Sequence, residues 1–111
     1  MNTLIWGDKN PDEIIPYTVQ FLDRLLVGET IVTPEVTILV FSGDDPAPSD
    51  MVVLGSVTLN TAANAINFVL TGGVPGAVYV VVVSAIISSG NLYMKVGRLA
   101  IVASDPFATA L

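Results

Sequence analysis

The sequence predicts an all-β protein in which two sheets pack as a sandwich. Several segments alternate apolar and polar residues with the period of a strand, and short clusters of glycine, proline and small polar residues separate them. No segment has the periodicity of an amphipathic helix. With 111 residues, the chain is long enough to form one domain with its own hydrophobic core.

Residues 1–16 predict an extended N-terminal arm ahead of this domain. Pro11 and Pro16 lie in a short acidic stretch and exclude a stable helix there. Trp6 is the only tryptophan; it either anchors the arm in a pocket of a neighbouring protein or folds back onto its own sandwich. The sequence leaves both open. We assign residues 17–102 to the sandwich domain and residues 103–111 to a C-terminal tail.

The strands of the domain follow from two-residue alternation and from β-branched and aromatic content. We expect them at residues 17–21, 29–41, 51–59, 65–70, 77–87 and 92–102. Leu25 and Leu26, in the link after the first strand, are expected to cap the core. In the last strand the apolar residues stand at even positions up to Val96 and at odd positions from Leu99 onward. This predicts a β-bulge near residues 97–98 that leaves Lys95 and Arg98 on the outer face.

Residues 70–87 form the centre of the predicted fold. Gly72, Gly73 and Gly76 permit backbone angles closed to other residues, and Pro75 presets a turn position, so a tight turn precedes the longest apolar strand. Tyr79, near the start of that strand, is placed to hydrogen-bond upstream backbone, as a tyrosine does in Greek-key sandwiches. The predicted fold is therefore an immunoglobulin-like (fibronectin-III-like) β-sandwich of about seven strands with an extended N-terminal arm.

The strand that follows this turn is apolar on both faces. A sandwich covers only one face of a strand, so a loop, the arm or another subunit must cover the other. We therefore expect partner contacts from the even positions of this strand, from the next strand and from the arm. The candidate residues are Leu4, Ile5, Trp6, Val78, Val80, Val82 and Tyr93.

Composition excludes several classes of function. The chain has no cysteine and no histidine, which removes thiolate chemistry, the commonest metal ligand and the commonest general base. We therefore expect no enzyme and no cofactor. Only four basic residues and a net charge of −6 argue against nucleic-acid binding. No segment predicts a membrane span or a secretory signal.

The acidic residues are unevenly distributed along the chain. Nine of the ten lie in residues 1–50. This division could orient neighbouring copies head to tail, although a solvated acidic edge is the simpler interpretation. Three aspartates in residues 42–50 (SGDDPAPSD) raise the hypothesis of a calcium site. Their spacing matches no known calcium loop and two prolines stiffen the segment, so we favour a solvated loop.

Three motifs support an assignment to a known class of proteins: residues 12–19 (DEIIPYTV), 28–31 (GETI) and 70–80 (LTGGVPGAVYV). Together they resemble small virion proteins of tailed phages, of the fiber–tail adaptor or neck type. The resemblance spans roughly residues 9–102. It implies a virion protein of the tail or neck region, made in the host cytoplasm and present in several symmetric copies. Its implied partners are portal–adaptor, tail or fiber subunits.

The function we expect is that of a structural subunit, an adaptor that joins tail or neck components to fibers by protein–protein packing. A capsid decoration protein is the alternative within the structural class. A glycan- or protein-binding β-sandwich module is the alternative from another class, and such a module would expose a row of aromatic side chains.

Overall fold

The computed structural model describes residues 3–102, and of residues 3–6 only the backbone. It confirms an all-β architecture of seven strands within that range, with no α-helix among the described residues. The tail at residues 103–111 lies outside the described part of the chain. The strands are β1 (Thr3–Lys9), β2 (Ile15–Gln20), β3 (Ile31–Ser42), β4 (Thr58–Asn60), β5 (Ala65–Leu70), β6 (Val78–Ile87) and β7 (Leu92–Ile101).

The strands form two sheets that enclose one core. The first has the order β1-β7-β6-β3, and the second has the order β2-β5-β4. All neighbouring strands are antiparallel except β1 and β7, which are parallel. Residues of both sheets contribute to the buried cluster, including Val19, Phe68, Tyr79, Val81 and Leu99. The two sheets therefore pack face to face as a sandwich.

The N-terminal segment is a strand of the four-stranded sheet. The β1 backbone pairs with β7 from Thr3, opposite Val96, to Lys9, opposite Ile101. Of the two possibilities for the arm, its backbone therefore folds back onto its own sandwich. The division of the chain at residues 16 and 17 stays a prediction, as does the role of the side chains of Leu4, Ile5 and Trp6, which are outside the described residues.

The predicted bulge in the last strand is wrong. Strand β7 pairs with β6 in one uninterrupted register from Leu92 to Ala100. The irregularity lies in the other neighbour, β1, where two residues including Gly7 stand opposite Leu99. Without a bulge in β7, Arg98 points outward but Lys95 lies on the inner side, at the rim of the core, where it meets Asp23.

The predicted strand at residues 51–59 is much shorter than expected. A 3-10 turn, Pro48–Met51, buries Met51, and Val52 makes only an isolated bridge to Leu70. Regular pairing then covers only Thr58–Asn60. Gly55 has a φ of 78°, which turns the chain away from an extended path.

Candidate functional site

Tyr79 holds two loops together at one end of the sandwich. Its ring is buried, and its hydroxyl accepts a hydrogen bond of 2.9 Å from the backbone N–H of Val74. The same hydroxyl donates to Oδ2 of Asp45 at 2.7 Å. Burial raises the pKa of Tyr79, so the hydroxyl keeps its proton and can donate it. The 71–77 turn and the acidic 43–47 loop are thereby fixed to the start of β6.

Gly73 lies in the same turn, where a larger residue would not fit. Its φ is +101°, and an added Cβ would approach the side chain of Ile101 to 2.7 Å. Gly72 and Gly76 also have positive φ, so all three glycines of the turn use backbone angles that other residues rarely adopt. Pro75 occupies the turn between them.

Lys9 ties the end of β1 to this turn. The side chain is fully buried, and its ammonium donates to the backbone oxygen of Gly72 at 2.8 Å and to that of Asn10 at 2.9 Å. Burial lowers the pKa of Lys9, while Glu13 and Asp12 oppose that shift. Lys9 therefore acts as a cross-link between two chain segments 63 residues apart.

A shallow cavity of about 240 Å³ opens beside the turn. Its lining combines Asp45 and Asp50 with apolar side chains and the backbone of the turn, namely Ala47, Met51, Thr71, Gly72, Gly73 and Val74. The Asp45 carboxylate is already engaged by Tyr79 and by the backbone N–H of Ala47. Among the residues that the structure describes, no group of three carboxylates is placed to hold a metal ion.

The outward side of the four-stranded sheet is predominantly apolar, and we call it the apolar face. At its centre, Val80 lies between Leu39 of β3 and Arg98 of β7. Leu39 and Phe41 are 52% and 55% exposed, and the guanidinium of Arg98 lies 4.1 Å from the centroid of the Phe41 ring. The residues that form the face are Leu39, Phe41, Val78, Val80, Val82, Met94, Val96 and Arg98. Two exposed polar residues border it, Thr37 opposite Val82 and Asp8 opposite Ala100.

The outward side of the three-stranded sheet is polar by contrast. Thr18 lies opposite Asn67, and its hydroxyl donates to the Asn67 side-chain oxygen at 2.7 Å. Thr58 extends this row onto β4, and Gln20 is exposed nearby. Among the described side chains, the apolar character of a protein–protein contact is therefore found on the outward side of the four-stranded sheet and not on that of the three-stranded sheet.

A comparison with known protein families also points to a role in protein–protein contact. The family model described as "Podophage GP4 fiber-tail adaptor protein gp77" matches residues 9–98, which is most of the chain. The chain belongs to this family. No curated protein is significantly similar to it.

Membership of this adaptor family establishes the class of function. The family is structural and not enzymatic, and an adaptor of this kind is a virion protein that binds other virion proteins, such as those of tail and fiber. In the described part of the chain, no helix has the length and apolar character needed to span a bilayer.

The predicted contact residues of this adaptor-family chain divide into three groups. Val78, Val80 and Val82 lie together on the apolar face, each half-buried by its neighbours. Tyr93 is instead packed against the core from the inner side of β7, and its hydroxyl donates to Glu29. The side chains of the third group, in the arm, fall outside the described residues.

Sequence reasoning missed much of the candidate surface. Leu39 and Phe41 complete the apolar face because the register of β3 against β6 brings them beside the valines, and only the pairing shows this. A weak signal was present: Leu39 and Phe41 alternate with the inward residues Ile38 and Val40.

Proposed function

We propose that this adaptor joins tail components to fibers by burying its apolar face against a neighbouring virion protein. The observation that supports this is the contrast between the two outward sides of one sandwich, because a chain that worked alone would gain nothing from exposing the apolar one. Val78, Val80 and Val82 are the proposed contact residues, with Leu39 and Phe41 beside them. The family match supplies the class of partner.

The position and copy number of the chain belong to the same proposal. We place it in the neck or tail region, in several symmetric copies, after synthesis in the host cytoplasm. A protein that joins subunits repeated around one axis would recur with them. Leu4, Ile5 and Trp6 of the N-terminal segment, and Tyr93, stay proposed secondary contacts.

We also propose that the sandwich is of the immunoglobulin type. Three features support this: the order β7-β6-β3 in one sheet and β2-β5-β4 in the other, the crossover from β5 to β6, and the tyrosine bonded to upstream backbone at that crossover. The division into residues 1–16, 17–102 and 103–111 remains part of the proposal, with β1 belonging to the sandwich sheet.

The alternative functions have less support. A capsid decoration protein would also use an apolar face, but the family match favours the tail. A glycan-binding module would present a row of exposed aromatic rings. Among the side chains that the structure describes, Tyr17, Phe21, Phe68 and Tyr79 contribute to or pack against the core, and Phe41 is the one exposed large aromatic.

Incorporation of variants into tails tests the proposed function. Val80→Glu places a carboxylate at the centre of the apolar face, and the matched control Gln20→Glu adds the same group to the polar side of the sandwich. We expect Val80→Glu chains to fold but to be absent from purified particles, while Gln20→Glu chains are incorporated normally. Thermal unfolding checks the fold. Normal incorporation of Val80→Glu would overturn the proposal, and recovery in capsids without tails would favour the decoration alternative.

A further inference from the structure

Strand β3 forms a long open edge of the four-stranded sheet. It is the last strand in the order β1-β7-β6-β3, so one of its sides has no neighbouring strand in the described part of the chain. An open edge presents backbone N–H and C=O groups with which another strand can pair. The other described edges are shorter or interrupted: β4 has three residues, β1 is irregular at Gly7, and β2 contains Pro16.

The hydrogen bonds of β6 show which backbone groups of β3 face the open edge. The N–H of Ile87 donates across the hairpin to the oxygen of Asn91, and the oxygen of Ala77 also bonds toward β7. The odd residues of β6 therefore point to β7 and the even ones to β3. Because Leu39 lies opposite Val80, the odd residues of β3 bond to β6. The residues whose N–H and C=O point to the open edge are Val36, Ile38 and Val40.

The open edge is regular and unprotected over residues 35–40. Within residues 3–102, no turn or loop donates to or accepts from its backbone groups, and the connection from β3 to β4 bonds instead within itself and to the end of β5. Irregularities in the pairing lie at residues 31–33 and 40–42. Between them, no lysine, proline or bulge lies beyond Pro34, although these are the devices that keep edge strands apart.

A second copy of β3 fits this edge about a two-fold axis through Ile38. In the antiparallel register centred there, Val36 of one copy faces Val40 of the other and Ile38 faces Ile38, so each open N–H meets an open oxygen. The neighbouring registers bring either Pro34, which has no N–H, or the irregular end at Ser42 into the ladder. The ladder therefore favours this one register.

The same register brings opposite charges together. In β3, β6 and β7, Glu35 and Arg98 are the only charged residues on the outward side of the sheet. The guanidinium of Arg98 reaches across β6 to within 4.1 Å of the Phe41 ring centroid, and in the described structure it forms no ion pair with Asp8 of β1. Glu35 accepts only a long bond of 3.5 Å from the Thr37 hydroxyl. In the two-fold register, Glu35 of one copy lies opposite Phe41 of the other, beside its guanidinium.

We propose that two copies of this chain pair through β3, antiparallel and centred on Ile38, so that their four-stranded sheets become one continuous sheet. A two-fold axis perpendicular to the sheet leaves the apolar faces of both copies on the same side. This inference goes beyond the proposed function, which concerns the face and not the edge. The pair presents one wider apolar face to a virion partner.

Removal of one edge donor tests the pairing. Val36→Pro deletes an N–H that points to the open edge and none that bonds to β6, so the fold should survive. Val36→Ala keeps the N–H and is the matched control. By analytical ultracentrifugation of the purified full-length chain, we expect the wild type and Val36→Ala to dimerise and Val36→Pro to associate at least about 10-fold more weakly. A wild-type chain that stays monomeric at its highest soluble concentration overturns the inference.

Single cysteines test the register. Thr37 and Leu39 face each other across the axis as a non-hydrogen-bonded pair, with Cα atoms about 4.5 Å apart and within reach of a disulfide. The chain has no cysteine of its own, so a mixture of Thr37→Cys and Leu39→Cys chains should cross-link on oxidation only between these positions. Either variant alone should not, since like positions are diagonal, about 7–8 Å apart. Cross-linking of Thr37→Cys alone, or none in the mixture, overturns the inference.

Charge reversal tests the pairing of Glu35 with Arg98. Glu35→Arg and Arg98→Glu should each weaken association, and a chain that carries both should recover it. Asp8→Asn is the control and should associate like the wild type. If the double variant does not recover, or if Asp8→Asn weakens association, the register is wrong.

The two proposals can fail separately. If copies pair through β3 but Val80→Glu chains still join particles, the proposed function fails and the inference stands. If Val80→Glu chains are excluded from particles although the wild type never pairs, the inference fails and the proposed function stands.

Discussion

The hydroxyl of Tyr79 donates a hydrogen bond of 2.7 Å to the carboxylate of Asp45, which lies 34 residues earlier in the chain. The same oxygen accepts the N–H of Val74, so one buried side chain joins the start of β6 to two separate loops. Tyr79 therefore links both loops at this end of the sandwich to the core.

Tyr79→Phe should therefore destabilise the protein while leaving the core filled. The Val74 N–H and the Asp45 carboxylate lose their shared partner, and we expect a loss of about 1–3 kcal/mol in the free energy of unfolding. Urea denaturation at neutral pH measures it. Asp45→Ala should cost less in the Tyr79→Phe background than in the wild type. Strictly additive losses would show that the bond contributes nothing to stability.

Two glycines with positive φ should respond differently to alanine. At Gly43, with φ +101°, a new Cβ would lie 2.8 Å from the Cβ and 2.9 Å from the Cα of Ala77, and the backbone there cannot easily yield. At Gly72, with φ +67°, it would meet nothing within 4 Å. We expect Gly72→Ala to lower the free energy of unfolding by about 1–2 kcal/mol, which is the cost of a left-handed backbone conformation alone. Gly43→Ala should lower it by clearly more, because the steric clash with Ala77 is added. If chemical denaturation gave the same loss of unfolding free energy for both variants, this prediction would be wrong.

The carboxylate of Glu29 should make the loop end of the sandwich sensitive to acid. The N–H of Leu26 donates to it first and the Ser89 and Tyr93 hydroxyls second, which holds the pKa of Glu29 below its usual value of 4.5. The pKa of Glu29 is lower in the folded chain than in the unfolded chain. Its stabilisation of the fold is therefore complete at pH values above the unfolded-state pKa, and it is lost as the pH falls through the folded-state pKa.

A comparison of wild type with Glu29→Gln across that range checks the assignment. The wild type should be the more stable protein at neutral pH, and its advantage should shrink once the pH falls below 4.5. Asp23, present in both proteins, also makes the fold less stable in acid, since the hydrogen bond from Lys95 lowers the pKa of its carboxyl group. A constant difference at every pH would show that Glu29 acts through its shape and not its charge.

Lys9→Ala should loosen β1 selectively. The substitution removes a fully buried stem and the donor to the oxygens of Gly72 and Asn10, for which we expect a loss of at least about 2 kcal/mol. Hydrogen exchange should accelerate in β1 before it does in β6. Arg24→Ala, at an exposed site, is the control and should change stability by less than about 1 kcal/mol.

Regular strands were the most predictable part of this chain. Strand β5 is placed correctly at both ends because Ile66, Phe68 and Leu70 alternate with outward residues. In β6 both sides are apolar, so alternation alone does not tell the inward side from the outward one. The expected caps of the core were half right: Leu25 packs against it, but Leu26 is exposed. A loop has no period, so nothing in its sequence tells which of two leucines turns inward.

The contacts that build the candidate site were the least predictable. The bond of Lys9 to Gly72 spans 63 residues, and that of Lys95 to Asp23 spans 72. Lys95 was expected to point outward because of the predicted bulge in the last strand. It lies instead at the rim of the core, where a carboxylate on a distant loop offsets the cost of taking its ammonium partly out of water. Such pairs depend on which loops meet, and only the assembled sandwich decides it.

The parallel pairing of β1 with β7 has a mechanical consequence. The chain enters β1 opposite Val96 and leaves β7 at Ile101, beside Lys9. A tension that pulls on these two points in opposite directions runs along both strands, so it loads their hydrogen bonds in shear. The bonds must then break together and not one after another as in a zipper. A force applied in this way would therefore meet its main resistance at the seam between β1 and β7.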